Sequence, residues 1–129
     1  DAVYLEDLCP KLKFRQWRQS IHKFTKKSCI YCGNISESID HILPRSKGGL
    51  SITENCVPAC LACNGDKSNN EAFYWYRGQK FYDPRRAMAL RAWMDGDIRL
   101  AVRLLQWANP EKENKVKIVE KNIIEYNAA

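Results

Sequence analysis

The stretch that decides the fold is CIYCGNISESIDHILPRSKGGLSITENCVPACLACNGDK, residues 29–67. It contains two Cys-x-x-Cys pairs, Cys29 with Cys32 and Cys60 with Cys63, separated by a loop-rich interval. Four thiolates at this spacing are typical of a closed, tetrahedral structural zinc site, because soft sulfur ligands favour that ion. A disulfide framework is the alternative, since it is common in small secreted chains. No leader peptide is recognisable, so we expect zinc and a reducing, cytoplasmic location.

A second set of polar residues lies among the cysteine pairs. Asp40 and His41 are adjacent and precede a Gly-Gly turn. Asn55 follows that turn, and Asn64 comes directly after the last paired cysteine. Carboxylate and amide oxygens are hard ligands, which suit Mg²⁺, Mn²⁺ or Ca²⁺ better than zinc. A neutral histidine accepts a proton near neutral pH. The segment therefore predicts a structural zinc and, separately, a catalytic cation beside a general base.

The order and spacing of these residues resemble the HNH endonucleases, the ββα-metal nucleases, in the variant whose last motif position is Asn. The matching pattern is Cys-x-x-Cys, Asp-His-x-x-Pro-x-x-x-Gly-Gly, Asn, and Cys-x-x-Cys-Asn-x-x-Lys, all within residues 29–67. The resemblance implies a metal-dependent DNA endonuclease that hydrolyses phosphodiester bonds and nicks one strand per site. The alternative function is a zinc-stabilised nucleic-acid-binding module without catalysis.

The resemblance also implies a role for each motif residue. His41 corresponds to the general base, and Asn55 to the residue that fixes the loop and orients the histidine. Asp40 and Asn64 correspond to the protein ligands of the catalytic Mg²⁺ or Mn²⁺. Lys67 is expected near the phosphates, with a plain surface position as the alternative. The structural zinc is assigned to Cys29, Cys32, Cys60 and Cys63.

Some of these assignments have structural alternatives. Asn55 could cap a helix before the apolar run that follows it, and Asn64 could be a turn residue. Neighbours on a regular strand point to opposite faces, so Asp40 and His41 share a site only if the strand ends at them. The Pro and Gly-Gly that follow predict such an end.

Charge favours a polyanionic partner. The 129 residues carry a net charge of +6, and the sequence pI is about 9.1, which favours DNA as the partner. Apolar residues recur at helical spacing over about residues 11–25, which predicts a helix there. This helix is basic, because no Asp or Glu lies between Leu8 and Asn34. No apolar run is long enough to span a membrane, so no membrane partner is expected. The sequence does not decide whether the protein forms a homodimer. The residues expected to contact DNA are Lys13, Arg15, Arg18, Lys23, Arg45, Lys47 and Lys67.

The expected architecture is α+β and mostly helical. A single domain, residues 1–129, has a ββα-metal core at about 28–69, a basic helix at 11–25 and a helical extension at 70–129. We expect a hairpin upstream of the Gly-Gly turn and a helix after the second cysteine pair. The aromatic run EAFYWY is predicted to pack in the core rather than stack on bases. Pattern alone does not decide between strand and helix for residues 115–126.

Overall fold

The structure, a computed structural model, describes the backbone of residues 2–108 and the side chains of residues 10–108. The α+β class predicted from the sequence is confirmed. The single domain over the whole chain stays a prediction, and the undecided segment at 115–126 lies outside the described residues. The helices and strands are α1 (Ala2–Phe24), β1 (Ser38–His41), β2 (Cys56–Ala59), α2 (Leu61–Lys67), α3 (Ala72–Arg77), α4 (Pro84–Met94) and α5 (Ile98–Trp107).

The first helix, α1, begins well before its predicted start, so that Pro10 lies inside it. Among the described side chains of α1, residues 10–24, those that reach the core lie toward its C-terminal end. Ile21 is fully buried and Trp17 is half-buried, whereas Phe14 is 52% exposed. No helix within residues 2–108 is long and apolar enough to cross a membrane.

The two strands form an antiparallel sheet in which Asp40 lies opposite Val57 and His41 opposite Cys56. β1 ends at His41, where the sequence predicted an end. Two short 3₁₀ turns, Arg45–Lys47 and Thr53–Asn55, lie in the loop between the strands. The sheet therefore places the Asp-His pair at one end of a small hairpin.

The predicted hairpin upstream of the Gly-Gly turn is wrong. That region contains an isolated bridge between Ser28 and Ile35, and β1 pairs instead with β2, beyond the loop. The sequence pattern does not predict β2, because the strand has only four residues and includes Pro58, a residue that is rare in sheet interiors. Pro is tolerated here because each strand of a two-stranded sheet is an edge strand.

The aromatic run after α2 packs as predicted. Trp75 and Tyr76 are buried on α3. Their rings lie 5.1 and 5.4 Å from that of Tyr31, measured between centroids. Tyr74, directly before Trp75 in the sequence, is 78% exposed. These contacts join α3 to the turn of the first cysteine pair.

The fourth helix, α4, packs against α5, and its buried face differs from the prediction. The apolar pattern predicts a buried face of Ala87, Leu90 and Met94, with the arginines of this helix elsewhere. Met94, however, is 36% exposed. Arg86, Leu90 and Trp93 face the core instead. These residues have the spacing i, i+4, i+7, which defines a helix face. The pattern was missed because an arginine occupies one of its positions.

Trp93 is predicted to be a principal stabilising residue. Its side chain is fully buried, its ring lies edge-on to Phe24 at 5.9 Å, and its Nε1 donates to the carbonyl of Thr53 at 2.6 Å. Trp93→Ala should lower the free energy of unfolding by about 3–5 kcal/mol in urea titrations. Met88→Ala, on the exposed face of the same helix, should change it by less than about 0.5 kcal/mol. Equal losses would contradict this orientation of α4.

Candidate active site

The four paired cysteines come together in one cluster. The sulfurs of Cys29, Cys32, Cys60 and Cys63 all lie within 4.8 Å of one another, with Cys32 Sγ and Cys60 Sγ 3.7 Å apart. A tetrahedral site with Zn–S bonds of about 2.3 Å has sulfur–sulfur edges of about 3.8 Å. The five cysteines whose side chains the structure describes are free thiols. The cluster is therefore consistent with a structural zinc and not with the disulfide alternative.

Local backbone geometry presents the cysteines to one another. The first pair sits on a tight turn, in which Gly33 donates to the carbonyl of Cys29 at 2.9 Å and takes a φ of 83°. Glycine adopts that conformation without strain. The second pair begins α2, because Cys60 is its N-cap residue and its sulfur accepts from the Cys63 amide at 3.3 Å.

Hydrogen bonds among the clustered thiols lower the pKa of one cysteine and raise the pKa of another. Hydrogen bonds with the Cys29 and Cys63 thiols lower the pKa of Cys32. Hydrogen bonds with Cys29 and Cys32 raise the pKa of Cys63. Four neighbouring thiols cannot all ionise without a compensating cation, and metal binding to such sites releases protons.

A buried arginine supports the first cysteine turn from outside the motif. Arg86 on α4 is only 5% exposed, and its Nη1 donates to the Cys29 carbonyl at 3.1 Å. A side chain at Gly33 would lie against the same guanidinium, 2.6 Å from Nη2. The sequence analysis placed Arg86 away from the core. Its helical spacing with Leu90 and Trp93 was the signal that could have found it.

Asp40 faces inward from β1, and both of its oxygens are engaged. Its side chain is 4% exposed. Oδ2 accepts a 2.6 Å hydrogen bond from the Tyr31 hydroxyl, and Oδ1 pairs with Lys67 Nζ at 3.1 Å. Burial raises the pKa of Asp40, while the Tyr31 hydrogen bond and the Lys67 charge act against that rise.

Lys67, on the last turn of α2, is fully buried. Its ammonium also donates to the backbone carbonyl of His41 at 2.9 Å. The surface position considered for this lysine is therefore wrong. In this conformation the ammonium faces Asp40, and it does not reach a phosphate at the surface. Nothing in the sequence distinguished it from an exposed lysine.

Asn64 lies one turn before Lys67 and faces the same side of β1. Its Nδ2 donates to Ser38 Oγ at 3.0 Å, and Ser38 shares a strand face with Asp40 because they are two residues apart. That bond uses the amide nitrogen, so the amide oxygen is the atom available to a cation. A carboxylate and an amide oxygen fit Mg²⁺ or Mn²⁺. The Lys67 ammonium lies where such a cation would contact Asp40, which shows that a positive charge is accommodated beside this carboxylate.

His41, the last residue of β1, contacts the loop that follows the strand. Its Nε2 lies 3.0 Å from Ser51 Oγ, a partner that the sequence analysis did not identify. When Nε2 donates to Ser51, Nδ1 is left as the proton acceptor. Partial burial lowers the pKa of His41, and the charge of Arg45 lowers it further. The imidazole is therefore neutral near pH 7, the form that a general base needs.

Asn55 ties the loop together. Its Oδ1 accepts from the Leu43 amide at 2.9 Å, and its Nδ2 donates to the carbonyls of Leu43 at 3.1 Å and Leu50 at 2.9 Å. Its own carbonyl accepts from the amide of Ile42, directly after His41, at 2.8 Å. Asn55 ends a 3₁₀ turn and does not begin a helix. These contacts are those expected of a residue that fixes the loop after the histidine.

The basic residues expected to contact DNA are exposed, with the exception of Lys67. An open cleft of about 640 Å³ runs along α1. It is lined in part by Arg15 and Arg18, and the Arg18 guanidinium lies 5.9 Å from the Phe14 ring. The described residues that line the cleft all belong to α1 and include none of the motif residues. The exposed residues are Lys13, Arg15, Arg18, Lys23, Arg45 and Lys47.

Comparison with known proteins identifies the class of domain. The model of the HNH endonuclease family matches residues 29–70. The chain therefore contains an HNH endonuclease domain over these residues, which include the four-cysteine cluster, the Asp-His pair and α2. A domain of this family implies nuclease activity on nucleic acid. No curated protein and no solved structure matches the chain.

Zinc should be needed for folding. Cys29→Ser or Cys63→Ser should aggregate or unfold the protein and lose the metal, because zinc binding at such sites is coupled to folding. Elemental analysis of the purified protein should find about one zinc per chain. Cys56→Ala is the matched control, since Cys56 is a buried thiol outside the cluster, and this variant should keep its zinc. A zinc-free protein that unfolds on mild thiol reduction would contradict the assignment.

Proposed function

We propose that this protein is a metal-dependent DNA endonuclease that hydrolyses phosphodiester bonds and nicks one strand per site. The observation that carries the proposal is the position of His41 within the HNH domain. The imidazole lies at the end of β1, with Ser51 at one ring nitrogen, and Asp40 is its neighbour at the same end of the strand. Family resemblance supplies the choice of DNA as substrate.

In the proposed reaction, His41 takes the proton of a water molecule whose oxygen attacks phosphorus. The bond from phosphorus to the 3′ oxygen then breaks, which leaves 5′-phosphate and 3′-hydroxyl ends. The lowered pKa of His41 keeps its ring neutral and ready to accept the proton. Ser51 holds the ring, and Asn55 fixes the loop behind it.

Asp40 and Asn64 are the residues that would hold the catalytic Mg²⁺ or Mn²⁺. A divalent ion held there would act as a Lewis acid, stabilising negative charge that develops on the phosphate and the leaving oxygen. A zinc ion at the four cysteines would have a different task, because four thiolate ligands would leave no position for substrate.

The exposed basic residues of α1 and the loop are proposed to hold the DNA backbone. The helix α1 carries Lys13, Arg15, Arg18 and Lys23. The 3₁₀ turn that follows the Asp-His pair carries Arg45 and Lys47. Phosphate contacts fix the position of a duplex without reading its sequence. A single site cuts one strand, so a double-strand break requires a homodimer or two successive events. The free thiols support a reducing, cytoplasmic location.

One observation favours the alternative, a zinc-stabilised module that binds nucleic acid without cleaving it. Both oxygens of Asp40 already have protein partners, Tyr31 and Lys67. A purely structural carboxylate would be held in this way. The two functions are distinguished by testing His41, whose side chain takes no part in that network.

His41→Ala should abolish plasmid nicking while leaving the fold, the zinc and most of the DNA affinity intact. Loss of a general base typically costs about 10²- to 10⁴-fold in rate. The control is His22→Ala, because His22 is the other histidine of the chain and pairs with Ser36 Oγ at 2.7 Å. That variant should nick DNA at nearly the wild-type rate. Nicking by His41→Ala at the wild-type rate in Mn²⁺ would refute the assignment of this histidine.

Neutralising Arg15, Arg18 and Lys23 to Gln should weaken binding to all DNA sequences to a similar degree. The slope of log affinity against log salt should become shallower by roughly one unit per lost phosphate contact. A matched triple variant, with Lys80, Arg99 and Arg103 changed to Gln, removes the same charge from exposed positions outside α1. Equal changes in slope for both variants would show that α1 is not the binding surface.

A further inference from the structure

Lys67 is the charged residue at the site that the proposed reaction does not use. Lysine is almost never fully buried unless it is paired. Here the ammonium is fully buried and has two partners, the Asp40 carboxylate at 3.1 Å and the His41 carbonyl at 2.9 Å. It therefore occupies the pocket between α2 and β1 as an internal cation.

The same pocket contains the oxygens expected to hold the divalent ion. Asp40 Oδ1 is bound by the ammonium, and the other oxygen by the Tyr31 hydroxyl. A cation on Oδ1 would lie next to the ammonium, with two positive charges repelling each other in a buried site. The buried pair also neutralises Asp40, which removes the net charge that would attract a metal. The ammonium and the divalent ion therefore compete for one carboxylate.

We propose that Lys67 is the resident counter-ion of Asp40 and that the catalytic divalent cation binds by displacing it. Metal loading then moves the ammonium out of the pocket toward solvent. Lys67 is the last residue of α2, and its sequence neighbours Asp66 and Ser68 are exposed, so this end of the helix lies at the protein surface. The proposal rests on the proposed function, in which Asp40 is a ligand of that ion.

The displacement is measured directly by amine labelling of the zinc-loaded wild-type protein. An acylating reagent and peptide mass spectrometry report which lysines are accessible, and electron paramagnetic resonance reports bound Mn²⁺. Lys67 should be protected without Mn²⁺ and should become modified as Mn²⁺ binds. Lys80, which is exposed, is the internal reference and should be modified equally in both conditions.

Removing the counter-ion should strengthen metal binding. Lys67→Met leaves Asp40 without its competing cation, so the Kd for Mn²⁺ should fall by about tenfold or more, as when the binding-competent state becomes the main one. Mn²⁺ should also raise the melting temperature of this variant more than that of the wild type. Lys80→Met makes the same charge change at the surface and should leave the Kd unchanged.

The outcomes separate this proposal from the proposed function. If Mn²⁺ binds, Asp40→Asn weakens that binding and Lys67 stays protected, the displacement is refuted while the endonuclease assignment stands. An unchanged Kd in a folded Lys67→Met variant refutes it as well. If Lys67→Met does not fold, the labelling of the wild type decides. If the wild type neither binds Mn²⁺ nor nicks DNA, both proposals fail.

Discussion

Convergence of four cysteine sulfurs is the constraint on which the nuclease core depends. The sheet consists of two four-residue strands, and a two-stranded hairpin alone is marginally stable in water. The cluster holds the turn before β1 against the start of α2, so a metal there fixes the relation of strand to helix. That relation places Asn64 and Lys67 opposite the Ser38–Asp40 face of β1. The geometry at the proposed site of the catalytic cation therefore depends on the four-cysteine cluster.

Hydrogen-bonded charges complete the core where apolar side chains would otherwise pack. A buried ion pair adds little stability compared with apolar residues of the same shape, but breaking one costs about 3–5 kcal/mol. The Asp40–Lys67 pair therefore contributes mainly to the orientation in which α2 packs on β1, and less to stability. Tyr31 lies next to Cys32 in the sequence and donates to Asp40, which connects the zinc turn to the same carboxylate. The two proposed metal sites are linked by a side chain and not only by the backbone.

The sequence predicted what depends on spacing and missed what depends on burial of charge. Cysteine pairs and the Asp-His motif are local patterns, so the zinc cluster and the end of β1 could be predicted. Lys67 could not, because charged residues are normally exposed and its carboxylate partner is distant in the sequence. Arg86 was missed for the same reason, although its helical spacing with buried residues was an available signal. The strand β2 was not predicted because it contains Pro58, a residue that is rare in strands. The roles of His41 and the other catalytic residues remain predictions.

Residues outside the family match also position the catalytic loop. Thr53 begins the 3₁₀ turn that ends with Asn55, and two tryptophans hold it. Trp17 on α1 donates to its side chain at 2.9 Å, and Trp93 on α4 donates to its carbonyl at 2.6 Å. Because Asn55 fixes the loop that follows His41, the position of this histidine depends on both flanking helices. Residues 29–70 carry the chemistry of the family, whereas the precision of the site in this protein comes from helices on either side of it.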